Sequence, residues 1–103
     1  MILMKYGLFG KFTAHPGKRD ELAQILIQAA ELLNNNKDCI HYVISLGDAE
    51  NEVWVWEAWA SQDAHDRSLE PEDVRTLIQK ALPLIAGMSD QTGLKILGGK
   101  GLI

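Results

Sequence analysis

Valine and tryptophan alternate through Val53-Trp54-Val55-Trp56, and the run continues as Glu57-Ala58-Trp59. This one segment holds all three tryptophans of the 103-residue chain. Alternation of β-branched and aromatic residues suits a pleated strand, because successive side chains point to opposite faces. Three indoles are more aromatic surface than one small core absorbs. The strand is therefore either buried on both faces or lines a pocket for something flat and apolar.

The flanking sequence supplies the other elements. Residues 4–14 are rich in Tyr, Leu, Phe and Thr and stop at the turn His15-Pro16-Gly17. Lys18–Leu33 then carries Leu22, Ile25, Leu26, Ala29, Ala30 and Leu33 at the spacing of an amphipathic helix, which Asn34-Asn35-Asn36 ends. A second strand, Cys39–Leu46, leads through Gly47–Asn51 into the tryptophan strand. A short helix over Ser61–Ser68 follows. Glu70-Pro71-Glu72-Asp73 starts a longer helix, with proline suited to its first turn and acids near the positive dipole end. Its apolar stripe is Val74, Leu77, Ile78, Ala81, Leu82 and Ile85, with Pro83 kinking the last turn and Gly87 closing it. The last strand is predicted over Gly93–Leu97.

The order is β-α-β-β-α-β with an extra short helix, an α+β ferredoxin-like plan. It predicts a four-stranded antiparallel sheet with its helices on one face. Residues 1–103 form a single domain, the natural count for this length. Sorting strand residues by parity puts Tyr6, Leu8, Gly10, Phe12, Ile40, Tyr42, Ile44, Trp54, Trp56, Leu94 and Ile96 under the helices. The other face collects Phe9, Lys11, Thr13, His41, Val43, Ser45, Val53, Val55, Glu57, Trp59, Lys95 and Leu97. That second face is too apolar for solvent and predicts a homodimer through Phe9, Val43, Val53, Val55, Glu57 and Trp59. Lys11, Glu57 and Lys95 would then need partners within or across the interface.

Composition removes several function classes. The net charge is −4 and the ten Lys and Arg are scattered, so no basic stripe tracks nucleic-acid phosphates. The single cysteine, Cys39, has no disulfide or zinc-ligand partner and fits a reducing cytosol. Met1–Lys5 is too short for a signal core, and no apolar run approaches the roughly 18 residues that span a bilayer. The chain is read as soluble and cytoplasmic. Three scattered histidines form no metal site, and the terminal glycines precede no helix as a phosphate loop would.

Two stretches carry a family resemblance: Gly10-Lys11-Phe12-Thr13-Ala14-His15-Pro16-Gly17-Lys18-Arg19-Asp20-Glu21-Leu22, and Trp56-Glu57-Ala58-Trp59-Ala60-Ser61-Gln62-Asp63-Ala64-His65-Asp66-Arg67-Ser68-Leu69. With Pro83–Gly87 and the Gly98–Leu102 tail, they resemble the antibiotic biosynthesis monooxygenase domain family. The resemblance covers nearly the whole chain and implies two subunits packed back to back as a dimeric α+β barrel. Family members include cofactor-free quinol or polyketide monooxygenases, heme-degrading enzymes, and an isomerase of a phosphorylated sugar. Many quinol-type members have histidine where Ser68 stands, and here His65 lies one helical turn away. Heme-degrading relatives have tryptophan at that position, histidine about where Ile78 stands, and asparagine near Gly10. None of the three is present, which disfavours heme degradation.

Cofactor-independent oxygenation needs a substrate that can itself reduce oxygen, an apolar pocket, a base for a hydroxyl and a donor for the anion. Tyr6, Phe12, Tyr42, Trp54 and Trp56 are the candidate walls, and Arg75 a candidate polar contact. His65 is the candidate base, imidazole being the side chain that ordinarily titrates near neutral pH, with Ser68 beside it. Each has a plainer reading: core for the aromatics, a capping role for His65, a surface pair with Glu72 for Arg75. The expected activity is oxygenation of a small aromatic or quinol-like compound without metal or flavin. The alternatives are isomerisation of a small phosphorylated or hydroxylated carbonyl compound, or ligand binding without catalysis.

Overall fold

The computed structural model describes residues 5–102. Met4, expected in the first strand, and residues 1–3 lie outside the described residues. The elements run β1 (Lys5–Ala14), α1 (Arg19–Leu32), β2 (Cys39–Leu46), β3 (Glu52–Trp59), α2 (Gln62–Arg67), α3 (Glu72–Ala81) and β4 (Ile85–Ile96). Leu22 and Leu26, one turn apart, are the buried residues of α1. Ser61 starts α2 by accepting a hydrogen bond from the Ala64 amide at 3.1 Å. Pro71 caps α3, with Glu72 and Asp73 in its first turn.

The chain leaves α3 earlier than its apolar stripe predicts. Pro83 has no N–H to continue the ladder, so Leu82–Leu84 form a 3-10 turn and the next residue is already in β4. β4 spans 12 residues, and both Ile85 and Gly87 pair within it instead of ending a helix. The sequence Gly87-Met88-Ser89-Asp90-Gln91-Thr92-Gly93 has little strand propensity of its own. Its pairing with β1 supplies the strand, and tertiary context overrides local preference.

All pairings are antiparallel and the strand order is β2-β3-β1-β4, as the ferredoxin-like plan requires. The register corrects the facing of two strands. Tyr6 pairs with Trp59, Leu8 with Glu57, Gly10 with Val55 and Phe12 with Val53; Tyr42 and Ile44 oppose Glu57 and Val55. Directly opposed residues share a face, so Val53, Val55, Glu57 and Trp59 lie under the helices. Val53 and Trp59 are 0% exposed, and Val53 and Val55 join Ala14, Leu22, Leu26, Ala81 and Leu84 in the core. Their expected place in a dimer face is thus overturned, and so is the expected place of Trp54 and Trp56 beneath the helices.

Those two indoles occupy the open face. Trp54 lies 5.4 Å from Phe9 between ring centroids, and Trp56 stacks on His41 at 5.6 Å. β4 is inverted in the same way: Lys95 opposes Tyr6, while Leu94 and Ile96 oppose Gly7 and Lys5 on the open face. Lys11 pairs with Glu52 at 3.3 Å and Asp90 at 3.7 Å, with its ammonium 5.6 Å from the Trp54 ring centre. Phe9 and Val43 stay on the open face as expected, 38% and 45% exposed.

The physical reason for the inversion lies in the residues themselves. In Val-Trp-Val-Trp both half-sets are apolar, so alternation fixes the period and leaves the phase free. Val53 and Val55, being compact, fit under the helices, and the indoles of Trp54 and Trp56 take the side without them.

Candidate active site

Between the sheet and the helices lies a cavity of about 290 Å³. Phe12, Tyr42, His65 and Ser68, four of the residues singled out by sequence, line it. Tyr6 stands beside it, with its ring 5.7 Å from that of His65. Trp54 and Trp56 are separated from it by the sheet. Arg75 is exposed on α3 and lies outside the lining of this cavity.

The structure adds Glu57, Trp59 and Gln91 to the lining. Glu57 is the informative one, because its carboxylate sits among apolar walls with only 12% of the side chain exposed. Its Oε1 accepts the indole N–H of Trp59 at 3.0 Å, and His65 Nε2 lies 3.7 Å from the same oxygen. Burial raises the Glu57 carboxyl above its ordinary value, and the indole donor and His65 partly offset this. His65 is placed by α2: its Nδ1 is 3.0 Å from Asp66 Oδ1, and the Trp59 ring meets it edge-on at 5.6 Å.

Ser68 is buried, and its hydroxyl donates to the backbone carbonyl of His65. It closes α2 and holds the turn that carries the imidazole. Leu33, Ser68 and Val74 also line a second hollow of about 310 Å³ between the end of α1, α2 and α3, so Ser68 stands where the two meet.

Burial, then the charges of Glu57 and Cys39, drives the Tyr42 hydroxyl well up. Burial and Asp66 raise Tyr6. The Cys39 thiol is pushed up to about 11 by burial and Glu57, so it stays protonated and is no nucleophile. Among the described residues no Lys or Arg lines the cavity, and no cluster of three His, Cys, Asp or Glu could hold a metal.

Sequence reasoning missed Glu57 because parity, taken with the wrong phase, turned it outward. The signal was there: a lone acid inside a Val/Trp strand is out of place unless something inside needs it.

A four-stranded antiparallel sheet with helices on one face, and an apolar cavity between them, defines a small ferredoxin-like α+β protein. The family model described as "Antibiotic biosynthesis monooxygenase" matches residues 6–80, and the chain belongs to that family. A candidate antibiotic biosynthesis monooxygenase from Chloroflexus aurantiacus is 33% identical, with a TM-score of 0.87 over 95% of this chain and 98% of that one. A protein of unknown function from Nitrosomonas europaea is 22% identical, with a TM-score of 0.77 over 97% and 96% of the two chains. SnoaB, a cofactor-independent oxygenase from Streptomyces nogalater, is 14% identical with a TM-score of 0.77 over 93% and 96%. The last two likenesses are of fold. No curated protein sequence matches the chain.

Proposed function

We propose that the chain is a cofactor-independent monooxygenase of a small quinol-like aromatic bound in this cavity. The observation that carries the reading is the buried Glu57 carboxylate, raised by burial and 3.7 Å from His65, on an otherwise apolar wall. Such a group is a poised base for a phenolic hydroxyl. Its proton leaves the quinol for Glu57, and the phenolate gives one electron to dioxygen. The two radicals join at the adjacent ring carbon, and the proton returns from Glu57 to the peroxide oxygen. Loss of water then leaves a hydroxyquinone, so one oxygen atom enters the substrate and the other leaves as water. The substrate supplies the electrons. His65, beside the same carboxylate oxygen, steadies its charge while the proton is away, and Tyr42 and Phe12 hold the ring.

Family membership supports an oxygenase reading, as does the fold shared with SnoaB. The absence of Lys and Arg from the described lining speaks against a phosphorylated carbonyl substrate. The open face, with Phe9, Val43, Trp54, Trp56, Leu94 and Ile96, supports a sheet-to-sheet homodimer. Among the described residues no helix is long and apolar enough to cross a membrane, and free Cys39 suits a reducing cytoplasm.

The test is oxygen uptake with menadiol or naphthohydroquinone. Uptake above autoxidation that is lost in Glu57→Gln is expected; no enzyme-dependent uptake across a panel of quinols refutes the reading.

A further inference from the structure

At Gly10, which opposes Val55 on its β3 side, the β1–β4 pairing is irregular. Phe9 pairs with Thr92 and Lys11 with Ser89, so Asp90 and Gln91 bulge between them. Asp90 takes φ 58, a conformation costly for a residue other than Gly, Asn or Asp. Its carboxylate lies 3.7 Å from the Lys11 ammonium, which ties the bulge to β1. A bulge of this kind re-aims a side chain, and here the side chain is Gln91, which lines the cavity. The carboxamide lies where a side chain on Gly10 would be: a Cβ built there overlaps Gln91 Nε2 and Cδ. A missing side chain on one strand and a bulge on its neighbour thus bring one amide to the cavity wall.

The place of that amide relative to Glu57 follows from the register. Gly10 opposes Val55, and Leu8 opposes Glu57, on the same face. Gly10 and Glu57 are therefore diagonal neighbours about 7–8 Å apart at the backbone. Glu57 rises from β3 on one side of Gly10, and Gln91 rises from β4 on the other with its amide over Gly10, so the two groups face the cavity from opposite sides of β1.

We propose that Gly10 and Gln91 form a second oxygen subsite, in which the Gln91 amide N–H donates to an oxygen para to the one facing Glu57. The site thereby selects para-dioxygenated aromatics over single-oxygen analogues. The assignment rests on the quinol reading of the cavity for the oxygen that faces Glu57, and it is tested by binding rather than turnover.

In oxygen-free buffer, naphthohydroquinone and monohydroxy naphthol are titrated calorimetrically against the wild type, Gln91→Leu, Gly10→Ala and the double variant. Gly10→Ala displaces the flexible amide while leaving the backbone undisturbed. Each single variant is expected to lose about tenfold in affinity for the para-diol, the worth of one hydrogen bond, and nothing for naphthol. The double variant should lose no more than either single one, because both remove the same contact. Equal para-diol affinity in the wild type and both single variants overturns the subsite. Absence of oxygen uptake with an intact binding preference instead overturns the monooxygenase reading and leaves the subsite standing.

Discussion

The Trp59 indole N–H donates to Glu57 Oε1 at 3.0 Å from two residues further along the same strand and on the same face. His65 Nε2 lies 3.7 Å from that same oxygen. Both contacts fall on Oε1, which makes Oε2 the oxygen that meets a substrate hydroxyl in the proposed reaction. In the proposed reaction β3 therefore supplies both the base and the group that orients it, and α2 brings the imidazole beside them.

Glu57→Gln should cost about 10²- to 10⁴-fold in kcat/KM, the usual worth of a positioned base. It should also raise Tm at pH 7. The folded carboxyl is raised above its ordinary 4.5, so the stability tied to its protonation is complete below about that pH. It is lost as pH climbs through the folded value. The glutamine variant does not undergo this loss. Thermal unfolding should show it more stable than wild type near neutrality and level with it at pH 4; an equal Tm difference at both pH values would contradict the assigned burial cost.

Trp59→Phe keeps an aromatic ring, though a smaller one, and removes the donor that lowers the Glu57 carboxyl. The carboxyl should then titrate at still higher pH. The acid limb of the pH–rate profile is expected to move upward, while the rate on the alkaline side of that limb falls less than tenfold. A limb that stays in place would mean that the indole does not tune the base.

Ser68→Ala separates positioning from catalysis. The hydroxyl is bonded to the His65 carbonyl at the end of α2, so its removal should cost about 1 kcal/mol and lower Tm by roughly 4–8 °C. The position of the pH–rate profile should not change. A large loss of kcat at unchanged stability would assign Ser68 a direct role.

The element order was legible because strand alternation, helical spacing, Pro16-Gly17 and Pro71 are local signals. The β1 residues and residues 41–45 of β2 were also faced correctly, since Lys11 and Ser45 mark a polar side, whereas Ile40 falls in a register irregularity. In β3 and β4 the facing was not legible. Trp54 and Val55 are both apolar, and Glu57 and Lys95 resemble solvent-facing residues until the register puts them opposite Leu8 and Tyr6. His65 and Ser68 could be found from a helix that starts at Ser61. Gln91 could not, because its aim depends on a bulge and on the space above Gly10.

Adjacent residues of β3 should therefore fail in different ways. Trp56 belongs to the open face, stacked on His41, whereas Val55 is 3% exposed in the core beneath the helices. Trp56→Glu puts a charge on the proposed partner surface, which remains wet in the separated subunit, so the chain should fold and elute as a monomer by light scattering at micromolar concentration. Val55→Glu buries the same charge without a partner, a desolvation cost of several kcal/mol that a domain of this size cannot absorb. Loss of the folded far-ultraviolet dichroism is expected there. Parity read with the indoles inward gives the reverse pair of outcomes, so the two variants together decide the phase of the strand. A dimeric Trp56→Glu would place the association surface elsewhere on the molecule.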